Sequence, residues 1–394
     1  MARSARWRTI VALAGLSVLA IAGQLVLNQA AATVAHNEGK ARDIWTFGFD
    51  FNPFWLLDRF FTVGHGFALW YGKISNPYPP PHEVIFAPFS YLPREAAQTL
   101  TIILSTALMV VALYLWARRS DTGLITIKSG MWPLLLSAPA LAVVVIDQFQ
   151  TVFTLAMLSL ALWAQRRDRW WLVGPAAALG LVRVPNALPV LAMLLVGAWG
   201  KPRQFLIALG SGALVMAPPT IMSFVWDPSW PSHYLEGIAY YPSNGLPKLA
   251  SGQLGYRGLA LLALATCLTA AWLVRHDRGR PLDPGRSALG MAIGVVVAPL
   301  AGLYAAIFVL PAILQLGFRQ RFRWLPWAIA VGPWLAVIAL SPFLLGPDPY
   351  LVLTDLSVID FVLLAVTYPL LRLPPLDASS DMQAGSRPLP GSAA

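Results

Sequence analysis

Apolar runs follow one another along this chain with so few polar interruptions that a water-soluble fold is excluded. They lie near 9–33, 96–117, 131–146, 149–164, 170–182, 187–199, 205–225, 259–274, 288–301, 303–317, 325–344 and 356–371, and about 20 apolar residues suffice to carry a helix through a bilayer, fewer inside a bundle. The composition agrees: 57% of the 394 residues are hydrophobic, 12% are charged, and the mean hydropathy is +0.62, outside the range of soluble domains. The reading is an all-α polytopic integral membrane protein of about twelve transmembrane helices. It forms a single domain over residues 1–372, with a disordered tail rich in Pro, Ser and Gly over 373–394.

The net charge of +10 belongs to topology and not to nucleic acid. The first run is preceded by Arg3, Arg6 and Arg8, is about 25 residues long and lacks a clean small-residue cleavage site, so it reads as a retained helix with a cytoplasmic N-terminus. Alternating sides from there puts 20 of the 28 Lys and Arg in cytoplasmic loops, although the basic residues played no part in drawing the runs. That excess is the positive-inside signature. It predicts cytoplasmic N- and C-termini in a cell membrane. The single cysteine, Cys267, lies in an apolar run, so an intramolecular disulfide is impossible.

This topology places the two longest loops, 34–95 and 226–258, on the outer side, where any chemistry should face. The first holds Trp45, Phe47, Phe49, Phe51, Phe54, Trp55, Phe60, Phe61 and Phe67, too aromatic for a linker, so it should carry short interfacial helices. The prolines of SNPYPPP predict an extended passage, and residues 84–92 a short re-entrant segment. Asp50 follows the aromatic run, where a carboxylate should have a raised pKa suited to general-base work; a helix cap by Asp50 or Asn52 is the plainer reading. Asp43 and Asp58 flank it. His65 and His82 lack a third partner at metal spacing, so hydrogen bonding or substrate contact is expected of them and no metal site. Glu83 could cap the helix that follows.

Deeper in the chain, Asp147 and Gln148 sit at the outer end of a tight hairpin, where polar side chains face a cavity or a partner. Arg183, in LVRVPN, is the lone basic residue placed deep in the outer half of the membrane. It calls for an anion: a phosphate, which a guanidinium grips bidentately, or the carboxylate of Asp147. No phosphate-cradling glycine loop, dinucleotide fingerprint, HExxH or nucleophile elbow occurs, which speaks against nucleotide and soluble-cofactor chemistry.

In order, these segments are an apolar first helix, Asp50–Phe51, NPYPPP (Asn76 to Pro81) with EVIFAPFSYLP (Glu83 to Pro93), DQFQTVFTLAMLSLAL (Asp147 to Leu162) and GLVRVPNALPVL (Gly180 to Leu191). That order resembles glycosyltransferase family 87, polytopic transferases of the GT-C superfamily. APLAGLYAAIFVLP (Ala298 to Pro311) is more weakly similar to a late segment of the family. Two departures stand out: Asp147 replaces the usual Gly before Gln148, and Arg183 stands where the family tends to have Lys.

The resemblance implies a GT-C-like bundle that transfers a sugar, mannose above others, from a polyprenyl-phosphate donor to a glycolipid or glycan acceptor on the outer face. It implies inversion, with Asp50 as base and Asp43 second, Arg183 on the departing phosphate, and Gln148, Asp147, Asn76, Tyr78, His65 and His82 lining the site. Trp45 and Trp70 would stack on sugar rings. No cofactor is expected, since the lipid-linked sugar is itself a substrate, and no metal, since an arginine already offers the phosphate positive charge and no dedicated ligand set is seen; membrane lipids, donor and acceptor are the partners. The competing class is a transporter or flippase. It is disfavoured because the intramembrane charges are few, the halves show no hydropathy repeat, and the polar residues cluster at one face instead of the midplane.

Overall fold

The computed structural model describes residues 79–117, 131–137, 140, 149–239, 256–297, 305–318, 320–332 and 357–372. The described elements are all helical. In chain order they are α1 (Pro80–Phe86), α2 (Arg94–Ala117), α3 (Met131–Leu135), α4 (Phe149–Arg166), α5 (Trp170–Gly180), α6 (Val184–Gly197), α7 (Pro202–Trp226), α8 (Trp230–Ala239), α9 (Tyr256–Leu273), α10 (Pro284–Ile293), α11 (Leu310–Gly317) and α12 (Ser357–Val366). Short 3-10 turns join several of them, at Leu181–Arg183, Gly294–Val296 and Ala306–Phe308 among others.

Among the described residues, three helical runs are long and apolar enough to cross a membrane: Ala96–Ala117, Trp170–Gly197 and Pro202–Trp226. The second is not one straight rod. Arg183 leaves helical geometry at φ −109° and ψ 85°, and a Cβ added to Gly197 would meet the side chain of Gln165 at 2.6 Å. Gln165 lies in the last turn of α4, just before α5 begins, so α6 returns to the end of the bundle from which α5 rose. The run is a hairpin with its apex at Leu181–Arg183, and α4 packs against both arms.

The core forms where α2, α4, α5, α6, α10 and α11 converge, with Leu113, Leu155, Leu162, Val190, Phe308 and Ile313 fully buried. No aqueous phase drives helices together inside a bilayer, so close backbone approach and buried polar contacts hold them. Both are present. A Cβ on Gly174 of α5 would lie 1.7 Å from the carbonyl oxygen of Ala208 on α7, so that contact tolerates glycine alone. Trp116 donates to Ser159 Oγ at 2.9 Å, and Gln315 donates to the Trp116 carbonyl at 2.9 Å, tying α2, α4 and α11. The outward residues of α7, including Leu206, Leu214, Ile221 and Val225, are exposed, as a lipid-facing helix requires.

One end of the bundle collects the cations. Gln165 donates to the Arg280 carbonyl at 2.9 Å and accepts from the Leu282 amide at 3.0 Å, while Arg166 stacks on Trp116 at 4.8 Å and Arg278 on Trp199 at 5.1 Å. Lys201 lies 3.5 Å from Asp168. The loops at 166–169, 199–203 and 275–286 therefore share this end. The aromatic partners match interfacial belts.

At the opposite end α1 departs from expectation. Pro79 is extended, but Pro80 and Pro81 open α1 in place of an extended passage. Proline suits the first helical turn, where its missing N–H would have had no intrahelical acceptor and its φ is already helical. Glu83 lies in that turn, where a negative charge favours the helix dipole. Asp43, Trp45, Asp50, His65, Asn76, Tyr78, Asp147 and Gln148 lie outside the described residues.

Candidate functional site

The end of the bundle remote from the arginine-rich loops is built from four pieces: α1, the first turn of α4, the hairpin apex at Leu181–Arg183 and the first turn of α6. Phe86 of α1, Phe149 of α4 and Val182 of the apex form a small buried cluster. Phe86 meets Phe149 and Phe153 edge-on at 5.5 and 5.3 Å, the arrangement aromatic quadrupoles prefer.

His82 fixes α1 to the hairpin. Its side chain is buried, and Nε2 lies 2.9 Å from the carbonyl oxygen of Ala178 on α5, so Nε2 carries the proton and donates. Burial holds the imidazole pKa below its ordinary value against the smaller opposing effect of that hydrogen bond. His82 is therefore neutral, and Nδ1, which has no hydrogen-bond partner among the described residues, presents a lone pair.

Arg183 is buried at the apex, 7% exposed, and Nη1 donates to Thr151 Oγ1 in the first turn of α4. Among the described residues no carboxylate pairs with it. A guanidinium has five N–H donors, and the bond to Thr151 uses one of them. A buried cation is costly until an anion meets it.

Beside it lies a set of buried amides and hydroxyls that sequence reasoning did not single out. Gln150 and Thr154 are fully buried and Asn186 is 1% exposed. Gln150 Nε2 and Oε1, Thr154 Oγ1 and Asn186 Nδ2 have no hydrogen-bond partner among the described residues. Part of their signal was visible as polar residues at positions 150, 151 and 154 in the first turns of a mostly apolar helix, which places all three within about 100° of its circumference.

Further out, α8 follows α7 after a short turn. Asp227 accepts from the Ser229 amide at 2.9 Å and contacts His233 Nδ1 at 2.7 Å. Tyr234 is pushed well above the ordinary phenol range by burial first and by the charge of Glu83 second.

Of the two candidate residues that are described, His82 and Arg183, both belong to this end. His82 reaches α5 one turn before the apex that carries Arg183. Such an arrangement can hold an anion at Arg183 and offer neutral hydrogen bonds beside it, all in apolar surroundings that strengthen each interaction.

The fold and the apex together define a polytopic membrane protein, all-helical among the described residues, with a buried arginine at one end. Residues 76–299 match the model of glycosyltransferase family 87, more than half of the chain, and the protein belongs to that family. The match takes in α1, the hairpin, Arg183 and the amide set. No curated protein and no solved structure matches the chain.

Proposed function

We propose that this glycosyltransferase moves a sugar, mannose first among the candidates, from a polyprenyl-phosphate donor to a glycolipid or glycan acceptor on the extracytoplasmic face of the plasma membrane. The observation that carries the reading is Arg183: a buried guanidinium whose described partner is a neutral hydroxyl, set in a chain with apolar helices that a lipid tail can lie against. A phosphate monoester or diester at the membrane interface supplies the missing charge.

In the reaction, the acceptor hydroxyl loses its proton to a carboxylate as its oxygen bonds to the anomeric carbon from the face opposite the leaving group. The bond from that carbon to the phosphate oxygen breaks, the phosphate keeps the bonding pair, and the configuration inverts through an oxocarbenium-like state. Asp50 is the proposed base, with Asp43 second. Arg183 stabilises the charge that accumulates on the departing phosphate. His82, with Asn76, Tyr78, His65, Asp147 and Gln148, would line the site, and Trp45 would stack on a sugar ring; no metal or cofactor is required. The gathering of Arg166, Lys201, Arg275, Arg278 and Arg280 at the other end supports an outward-facing apex, and cytoplasmic termini and a bundle of about twelve spans belong to the same proposal.

Purified wild type, Asp50→Asn and Arg183→Met, each verified as folded, would be given a panel of polyprenyl-phosphate sugars and the release of polyprenyl phosphate followed. Transfer by wild type with loss of several orders of magnitude in Asp50→Asn supports the reading. Translocation of the lipid sugar across vesicles without any glycosidic product overturns it.

A further inference from the structure

The geometry points to a sugar-hydroxyl subsite made by Gln150, Thr154 and Asn186, running from the apex beside Arg183 into the bundle; it rests on the reading of Arg183 as the donor-phosphate anchor. Gln150 and Thr154 are one turn apart on the same face of α4. Asn186 lies in the first turn of α6, where a Cβ on Gly294 would come within 3.3 Å of its backbone. The elements that carry them pack together: α4 touches α6 and the turn at Ala306–Phe308, α6 touches the turn at Gly294–Val296, and the two turns touch each other.

Thr154 and Asn186 lie at matching depth, with Gln150 nearer the apex. Counted at 1.5 Å per residue from the arginine-rich end, Thr154 and Asn186 lie about 16–18 Å up the bundle and Gln150 about 24 Å up, next to the apex. Below them the packing is apolar: a Cβ on Gly290 would collide with Met193 and meet Ala270. The polar set thus leads from the level of the guanidinium at Gln150 down to Thr154 and Asn186 above the apolar core.

Its chemistry is specific. Gln150 offers both a donor and an acceptor, Thr154 a hydroxyl that does either, and Asn186 an amide donor, all buried and none satisfied among the described residues. A second anion would not suit the acceptors, and an apolar tail would leave every group unpaired. A sugar ring carries hydroxyls that donate and accept at once, so it answers the whole set. A site built to hydrogen-bond a hydroxyl also rejects substrates that lack it, which makes this polar set the place where donor sugars are told apart.

The test compares wild type with Gln150→Leu, Thr154→Val and Asn186→Leu, following thermal unfolding in detergent with bare polyprenyl phosphate and with the same lipid carrying mannose, glucose or arabinofuranose. At least one sugared lipid should raise the wild-type Tm above the shift given by the bare lipid. The variants should keep the bare-lipid shift, bind that sugared lipid about tenfold more weakly, and unfold at the same or a higher temperature without ligand, because an unpaired polar group has been removed. Thr154→Val, nearly isosteric, keeps the test open if a Leu variant fails to fold. Full retention of the sugar increment in folded variants, or equal shifts by bare and sugared lipids in wild type, overturns the subsite while leaving the phosphate anchor standing. No shift of wild type by any of these lipids overturns the donor reading itself, and the subsite with it.

Discussion

Arg183 Nη1 donates to Thr151 Oγ1, so the apex of the α5–α6 hairpin is fastened to the first turn of α4 by a buried cation and a neutral hydroxyl. The bond fixes where the guanidinium sits without neutralising it. That combination suits a group held ready for an anionic ligand and is costly for one that only packs.

Removing the charge should therefore cost catalysis more than folding. Arg183→Met is expected to lower kcat/KM by about 10²–10³, the usual range for deleting a group that stabilises transition-state charge. Arg183→Lys should recover part of this, since an ammonium supplies charge without the bidentate fork. Steady-state transfer kinetics on equally folded proteins would decide it; a Met variant within twofold of wild type would show that Arg183 does not meet the phosphate.

Thr151→Val separates positioning from charge. It keeps the guanidinium and the side-chain shape but removes the hydroxyl that orients it. We expect a drop of about tenfold in kcat/KM, close to one neutral hydrogen bond. A loss as large as that of Arg183→Met would mean that Thr151 itself meets the substrate.

His82 should make stability fall in mild acid. Burial depresses its pKa in the folded protein, so the unfolded chain takes up the proton first as pH drops. The stabilising contribution is complete above about pH 6.5, the ordinary imidazole value, and is lost below it by up to about 1.4 kcal/mol per pH unit. His82→Gln retains an N–H for the Ala178 carbonyl and does not titrate. Its Tm should fall less than that of wild type between pH 8 and pH 5, and parallel curves would refute the assignment.

These residues also show how far the sequence could be read. The boundaries of α2, α4, α6 and α7 follow the apolar runs closely, because one period and one solvent class dominate a membrane helix. The fold-back at Arg183 agrees with splitting 170–182 from 187–199. Of the stacked prolines, Pro79 is extended as the sequence predicts while Pro80 and Pro81 are helical: proline favours extended chain and the first helical turn equally in φ, and the docking of α1 on α7, with the His82 and Phe86 contacts to α5 and α4, selects the helix. Within the site, a lone arginine in an apolar run announces itself, whereas Gln150, Thr154 and Asn186 resemble tolerated polar residues until packing buries them without partners. Side-chain satisfaction is a property of neighbours distant in sequence, as the Arg183–Thr151 pair illustrates.

Close approach of α5 and α7 gives a test of the fold independent of any ligand. With the Gly174 Cβ position 1.7 Å from the Ala208 carbonyl oxygen and 2.7 Å from Ser211 Oγ, even Gly174→Ala must push the helices apart. A cost of about 1–3 kcal/mol is expected, as for other overpacked sites, and Gly174→Leu should prevent assembly. Gly210, with nothing within 4 Å of its Cβ position, serves as the control, and equal Tm values for the alanine variants at 174 and 210 would contradict the packing.

Gln165 closes the arginine-rich end and should matter to stability alone. Its amide bonds the Arg280 carbonyl and the Leu282 amide at once, and the side chain is 2% exposed. Gln165→Leu fills the volume but strands both backbone groups, at about 1–3 kcal/mol each where they stay buried. Because it lies at the opposite end from Arg183, the donor KM of whatever folds should match wild type. A changed KM with an unchanged Tm would place the substrate at the wrong end of the bundle, and would overturn the assignment of the apex as the site.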